Sequence, residues 1–267
     1  MMPILIINMN ANSTFWIGSE HTVCEDYALA KVNAGLAYAI VSDGCSASPD
    51  VDLGARAMVM SAERALRLST EYTPEKFGEI TIRNAQRLFD VFPHLHPQAL
   101  DATLLVAWVE DKKLRVYAYG DGVIYIKNKG IISTIHINLT SGAPDYLSYT
   151  LNAERQSAYE NVADNKKQIS VTVDGKTIQT DHKPLQPYFT EMPVEDGDII
   201  AVISDGVNSF RETDNTIIDW KDALKDVTDF RTTHGEFVLR TISALKRKCL
   251  KEGRTHYDDL SIGVIVV

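Results

Sequence analysis

The sequence predicts a layered α+β fold, and three observations predict it. Apolar runs rich in aromatic and branched aliphatic residues, such as YALAKV, LAYAIVSDG and KLRVYAYGD, are separated by short polar turns, as antiparallel strands are. Two other regions repeat apolar residues at helical spacing, and each holds two helices in succession. The resulting order is strands, two helices, strands, an irregular segment, a strand, two helices and a strand. A doubly wound parallel sheet would need strict βαβ alternation, so that class is disfavoured.

The opening MMPILIINMNANSTFWIGSE has a short apolar run but neither a basic flank nor a small-residue cleavage pattern, and it reads as a first strand rather than a signal peptide. Residues 14–45 continue as strands. After Ser48-Pro49-Asp50 the period changes, and Ala55, Met58, Val59, Ala62 and Leu66 fall on one helical face. A second helix opens with Thr73 as N-cap and Pro74 in its first turn, carrying Ile82, Ala85, Phe89 and Phe92 on one face. ATLLVAWVED, KLRVYAYGD and GVIYIKNKG then read as a three-stranded meander with a tight turn at Glu110-Asp111-Lys112-Lys113. Residues 136–192 show a weaker pattern of loops, one short helix and strands whose positions the sequence does not settle. GDIIAVISDG is a buried strand entered through Glu195-Asp196-Gly197-Asp198. One helix with Ile217, Trp220, Leu224 and Val227 on a face follows, then another with Val238, Ile242, Leu245 and Cys249, and LSIGVIVV is the last strand.

Composition narrows the function classes. With 267 residues, 45% of them hydrophobic, and no low-complexity stretch, linker or regular repeat, residues 1–267 read as one domain with a substantial core. A net charge of -9 argues against a surface that neutralises nucleic-acid phosphates or sits on anionic lipid. No apolar stretch approaches the roughly 20 residues of a membrane span. Cys24, Cys45 and Cys249 are far apart and form no C-x-x-C pair, so neither a zinc knuckle nor a disulfide framework is indicated, and a reducing cytoplasm is the simplest compartment.

The chemistry-bearing pattern is a set of acids beside apolar strands: Glu25 and Asp26 in HTVCEDYALA, Asp43 in VSDGC, Asp121 in YGDGV, Asp205 in ISDGV, and Asp258 and Asp259 in HYDDLSIG. Singly, an Asp-Gly after a strand is more often a hairpin turn than a ligand. Together, carboxylates at the ends of stacked strands would repel one another unless cations lay between them. Oxygen ligands of this kind suit Mg2+ or Mn2+. Glycine after Asp43, Asp121 and Asp205 permits close backbone approach and leaves a carbonyl free to coordinate.

The ordered blocks resemble the PPM family of metal-dependent protein phosphatases, the type 2C serine/threonine phosphatases, and DGCSASPDVDLGARAMV is particularly similar to a bacterial branch. The resemblance implies a four-layer αββα sandwich, two antiparallel β-sheets flanked by helix pairs. It implies two Mn2+ or Mg2+ ions with a third in bacterial members. Asp43 would bridge both ions, the Gly44 carbonyl would join one, and Asp205 and Asp258 would complete the other's shell. Glu25 and Asp26 would hold metal-bound waters, Asp121 would serve the third ion, and Asp259 would play a supporting part. Two cations roughly 3.5 to 4 Å apart acidify a bridging water and neutralise phosphoryl oxygens, allowing in-line attack. Expected partners are proteins bearing phosphoserine or phosphothreonine and a cognate kinase, with no nucleic acid and no membrane. The segment 136–192 corresponds to a region that includes a mobile flap near the site in the family, and it is expected to govern substrate choice.

Two positions depart from the family pattern. His21 stands where animal members place a phosphate-gripping arginine, and Cys45 where a histidine is sometimes the general acid. His21 would keep its charge only below a pKa near 6.5. These departures leave open a catalytically weak or inactive phosphatase-like sensor or adaptor. A metal-dependent phosphodiesterase or nuclease would use similar ligands but lacks its basic surface here. A thiol nucleophile is disfavoured, because CSASPDV has no arginine at the required spacing. Cys249 is followed by Arg254 at the wrong distance, and His94, His96 and His256 receive no role.

Overall fold

The computed structural model describes residues 9–68, 73–92, 94–162 and 165–267. The first half runs β1 (Asn10–Trp16), β2 (Asp26–Asn33), β3 (Leu36–Asp43), α1 (Val51–Leu68), α2 (Pro74–Asp90), β4 (Leu104–Glu110), β5 (Lys113–Tyr119) and β6 (Gly122–Asn128). It continues through β7 (Ile131–Leu139), α3 (Ala153–Glu160), β8 (Lys167–Val173), β9 (Lys176–His182), β10 (Tyr188–Pro193) and β11 (Ile199–Ile203). The end comprises β12 (Phe210–Arg211), α4 (Trp220–Val227), α5 (Phe237–Glu252), β13 (Thr255–His256) and β14 (Leu260–Val266). The expected opening strand is seen as β1, and residues 1–8 of it lie outside the described residues.

Two large antiparallel sheets form, one ordered β1-β14-β11-β6-β7-β8-β9 and the other β10-β5-β4-β3-β2. Their strands read as continuous apolar runs because both faces are covered. In β3, Ala37, Ala39 and Val41 point between the sheets, while Tyr38 and Ile40 point at α1 and α2. In β4 the same alternation sends Leu105, Ala107 and Val109 inward and Leu104, Val106 and Trp108 to the helices. On the other sheet Ile200 and Val202 of β11 join the central core, and Ala201 and Ile203 meet α4 and α5. Three apolar clusters therefore separate four layers, the αββα arrangement that the sequence implied.

Local signals explain most boundaries. Thr73 caps α2, its side chain accepting from the Lys76 N–H at 3.3 Å, with Pro74 in the first turn. Asp111 and Lys112 both have positive φ, 51° and 56°, the pattern of a type I′ turn between β4 and β5. Ala55, Met58, Val59, Ala62 and Leu66 of α1 are buried, as are Val238, Ile242, Leu245 and Cys249 of α5.

Three expectations need correcting. Phe92 is not on the buried face of α2: the helix ends at Asp90, the Val91 N–H bonds back to Leu88, and Phe92 is 58% exposed. Ile217 lies before the Asp219 cap of α4, bridges Arg211 instead, and is 60% exposed. The meander is broken, because β4 and β5 pair in one sheet whereas β6 pairs with β11 and β7 in the other. The chain changes sheets at Gly120-Asp121, a feature to which hydrophobic pattern is blind, since both sheets demand the same alternation. The segment 136–192 supplies the end of β7, α3, β8 and β9 to one sheet's side and β10 to the edge of the other.

Phe77 of α2 shows how the helix layer is anchored. It is 2% exposed, its ring centroid lies 5.6 Å from that of Trp108 and 4.9 Å from that of Tyr117, both on the sheet below. Phe77→Ala removes an aromatic ring from this close-packed layer, and urea unfolding is expected to show a loss of about 3–5 kcal/mol.

Candidate metal-dependent active site

The predicted acids meet because of strand register. β2 and β3 are antiparallel partners, so Asp26 at the start of one stands opposite Asp43 at the end of the other. In the second sheet, Ile203 at the end of β11 pairs with Ile262 near the start of β14, which brings Asp205 and Asp258 to the same edge. Ile203 also pairs with Val123, placing Asp121 there too. All these acids lie at one end of the sandwich. Asp43, Asp121 and Asp205, read singly as candidate hairpin residues, do not form two-residue turns. Asp43 leads into the loop before α1, Asp121 crosses between sheets, and Asp205 begins a short 3-10 helix, Asp205–Asn208.

The repeated Ser-Asp-Gly has a distinct use for each member. The Ser42 hydroxyl donates to the Thr103 carbonyl at 2.6 Å, and the Asp43 N–H donates to the Thr103 hydroxyl at 3.0 Å. The Thr103 N–H returns a bond to the Asp43 carbonyl at 2.8 Å, so Asp43 is pinned from both sides. Ser204 accepts the Ser261 N–H at 2.9 Å, locking β11 to β14 beside the acids. The glycines are forced by contact. A Cβ on Gly44 would lie 2.9 Å from the Glu25 carbonyl oxygen, and one on Gly206 would lie 1.8 Å from that of Asp259. Ser42, Thr103, Ser204 and Ser261 carry no role in the sequence reading, although the duplicated SDG was the signal for two of them.

Asp259 is a clamp rather than an open ligand. Only 1% exposed, it accepts the Gly18 N–H at 2.6 Å and the Glu25 N–H at 2.5 Å. The same carboxylate lies 3.0 Å from His21 Nδ1, whose Nε2 is 3.7 Å from Asp258. Burial opposes charge on His21, but the bond to Asp259 and the nearby Asp259, Glu25 and Asp258 charges leave its pKa above the usual value. The Cys45 thiol faces the Tyr146 hydroxyl, a neighbour from the 136–192 segment that sequence did not indicate. Two of the unassigned histidines have structural contacts. His256 is 3% exposed, stacks on Phe210 with Trp16 tilted against it, and is pushed down to about 4 by burial, while His96 Nδ1 accepts the Gln98 N–H at a 3-10 helix start. Cys24 is held as a thiol, with burial pushing it up to about 12.

The electrostatics of the cluster are those of unpaid repulsion. Burial, with the Asp259 charge adding to it, pushes the Asp26 carboxyl up to about 8, although the neighbouring Asp43, Ser204 and Ser261 side chains pull it the other way. Burial and the charges of Asp26 and Asp205 hold Asp43 well above the usual carboxylate range. Burial and the Asp205 charge do the same to Asp121, and they raise Asp258 to about 6.

A family model described as protein phosphatase 2C matches residues 18–246. The chain belongs to that family. Solved structures of this phosphatase fold superpose over nearly the full length. They include the S. agalactiae serine/threonine phosphatase, 14% identical, covering 97% of this chain and 99% of that one with a TM-score of 0.56. A second is the catalytic domain of the serine/threonine phosphatase PstP in complex with two manganese ions, 13% identical, with 97% of each chain covered and a TM-score of 0.52. A third, the phosphatase domain of SpoIIE from Bacillus subtilis with a fragment of its regulatory domain, is 10% identical and covers 97% of this chain and 63% of that one, at a TM-score of 0.55. No curated protein sequence matches the chain significantly. At these identities the structural likeness speaks for the fold.

Whether this 2C phosphatase suits cations is testable on its own atoms. Both carboxylate oxygens of Asp26, and one oxygen each of Glu25, Asp121 and Asp205, are buried without a hydrogen-bond partner. Buried polar atoms are seldom left so, and hard anionic oxygens turned toward one region are what a divalent cation takes. Among the described residues, no three His, Cys, Asp or Glu side chains are gathered closely enough to enclose one ion unaided.

A pH dependence follows. Folded Asp26 titrates near 8, an unfolded aspartate near about 3.9. Between those values the folded state holds the extra proton, so the stability of the metal-free protein falls as pH rises and levels off above 8. The melting midpoint without metal is expected to drop from pH 5 to pH 8. Asp26→Asn should reduce that slope, the raised Asp43, Asp121 and Asp258 carboxyls contributing the remainder, and added Mn2+ should reduce it further.

Proposed function

We propose that the chain is an active metal-dependent phosphoprotein phosphatase, working as one catalytic unit on phosphoserine and phosphothreonine. The observation that carries this reading is the set of unpartnered buried oxygens on Glu25, Asp26, Asp121 and Asp205 at one end of the sandwich. Asp43, Asp205, Asp258 and the Gly44 carbonyl would hold two Mn2+ or Mg2+ ions, with Glu25 and Asp26 taking their waters and Asp121 a third. Manganese in the PstP relative supports this assignment. Such ions, when bound, supply a nucleophile from water at neutral pH and offset the charge of the phosphoryl oxygens.

The chain's own residues do the rest. Thr103 holds the Asp43 backbone by two bonds, one to its N–H and one to its carbonyl, so the residue that bears the carboxylate is fixed in place at the strand end. Asp259 fixes the Gly18–Glu25 loop and turns His21 toward Asp258 at the rim. The upward shift of its pKa favours the protonated form of His21, which would supply a proton to the leaving serine or threonine oxygen, or a hydrogen bond to phosphate. Cavities of about 630 and 600 Å3 are lined by α2 and the loop after it together with residues 148–155 in one and α1 in the other, and none of the candidate metal-holding acids lines them. A shallow acidic end that accepts a phosphorylated side chain from another protein's surface fits this better than an enclosed metabolite site.

The test is hydrolysis of an aryl phosphate and of a phosphopeptide panel with Mn2+. Expected are turnover abolished by chelation, preference for phosphoserine and phosphothreonine over phosphotyrosine, and a loss of about a thousandfold in kcat for Asp43→Asn or Asp205→Asn. That loss corresponds to about 4 kcal/mol of transition-state stabilisation. Calorimetric Mn2+ binding without turnover would instead identify a non-catalytic sensor, and full activity in excess chelator would overturn both readings.

A further inference from the structure

Away from the acids that meet at the strand ends, one ion pair is almost wholly inaccessible to water. Lys167 Nζ lies 2.8 Å from Asp145 Oδ2, and the two side chains are 1% and 0% exposed. Lys167 also donates to the Gln186 carbonyl at 2.8 Å and sits 5.0 Å from the centroid of the Tyr119 ring. Asp145 accepts the Gly120 N–H at 3.0 Å and the Leu185 N–H at 2.5 Å. The end of β5, the exit from β7, the first residue of β8 and the loop before β10 are thus tied at one point.

Stability alone is a weak reason for such a pair. Desolvating two charges costs several kcal/mol, and buried pairs can often be replaced by apolar residues at no loss. What distinguishes this pair is the group it grips. Gly120 directly precedes Asp121, at the peptide where the chain leaves one sheet for the other. Its φ is +95°, and a Cβ there would lie 2.8 Å from Thr103 Cγ2. Thr103 is the residue that pins Asp43. The hydrogen bond from Gly120 to Asp145 therefore sets the direction of Asp121 and abuts the support of Asp43. The two charges act on Asp121 in opposite senses, Asp145 disfavouring its ionised form and Lys167 favouring it. Their fields oppose one another, and what both residues share is the geometry they impose on Gly120 and the segments around it.

We infer that Asp145 and Lys167 are positioning residues that hold Asp121 for a cation and couple that site to the 140–186 segment. The inference rests on the reading of Asp121 as a cation-holding residue. Neither residue is singled out by the sequence, where Asp145 lies in GAPDYLS and Lys167 in NKKQIS.

The experiment is calorimetric titration of the metal-free protein with Mn2+ for six forms: wild type, Asp121→Asn, Asp145→Asn, Lys167→Met, the neutral double variant Asp145→Asn/Lys167→Met, and the double variant combined with Asp121→Asn. Both single variants and the double variant are expected to weaken the Asp121-dependent binding by about 10- to 100-fold, the usual reach of residues that orient a metal ligand. In the Asp121→Asn background the double variant should cause no further weakening, a coupling that a merely structural role would not produce. The neutral double variant leaves no charge unpaired, so it carries the test should either single variant fail to fold. Unchanged Mn2+ affinity in a folded double variant overturns the inference. So does tighter binding in Lys167→Met beside weaker binding in Asp145→Asn, which would mark a field effect rather than positioning. An isotherm unaltered by Asp121→Asn itself overturns the underlying reading of Asp121, and is recognisable separately from the other two results.

Discussion

Repulsion among carboxylates withdrawn from water is the constraint around which this molecule is arranged. Asp26, Asp43, Asp121 and Asp258 all sit well above the ordinary carboxylate range, each through burial and most with a neighbouring acid adding to it. A fold does not gather such groups for its own stability, since a buried polar atom without a partner costs free energy. They are tolerated because rigid strands deliver them and serine, threonine and backbone donors hold them in place. His21 is a nearby base, and it is engaged with Asp258 and Asp259, while Lys167 is paired with Asp145. The remaining deficit of positive charge is what divalent cations would supply.

The four layers make that concentration of charge possible. Two antiparallel sheets share a dry core of Ala, Val, Ile and Leu side chains, and each covers its outer face with a helix pair. With both faces of β3, β4, β11 and β14 sealed, the strands cannot shift register without exposing an entire set of apolar side chains. Register in turn fixes which strand ends coincide. The packing energy of the cores thus holds the acids together against their repulsion, and Thr103 and Asp259 convert that coarse placement into fixed orientations.

The 136–192 segment ties the chemistry to the rest of the fold in a way that connectivity alone does not suggest. It extends one sheet through β8 and β9, closes the edge of the other with β10, and sends Asp145, Tyr146 and Lys167 back toward the acids. Asp101, beside the site, is held by Ser48, Ser148 and a two-pronged bond from Arg155 of α3, so the same segment is also latched to the loop after Asp43. A region with weak sequence pattern is here dense in buried polar contacts.

Local physics made much of this legible without coordinates. Thr73-Pro74, the helical spacing of Ala55 to Leu66, the type I′ turn at Asp111-Lys112 and the apolar strands around each Ser-Asp-Gly are short-range features, written in neighbouring residues. The acids could be picked out because each closes or opens a recognisable strand. Phe92 and Ile217 misled because periodicity continues past a helix cap that only the turned chain reveals. The switch of sheets at Gly120-Asp121 was hidden because strands in either sheet obey the same alternation. Sequence by itself determined the elements, the layered class and the list of candidate carboxylates. Tertiary structure alone decided which strand ends meet, that Asp259 is a clamp, and that Asp145 and Lys167 find each other. Those outcomes depend on contacts between residues distant in the chain, whose pairing is set by the burial of whole faces and not by any local preference.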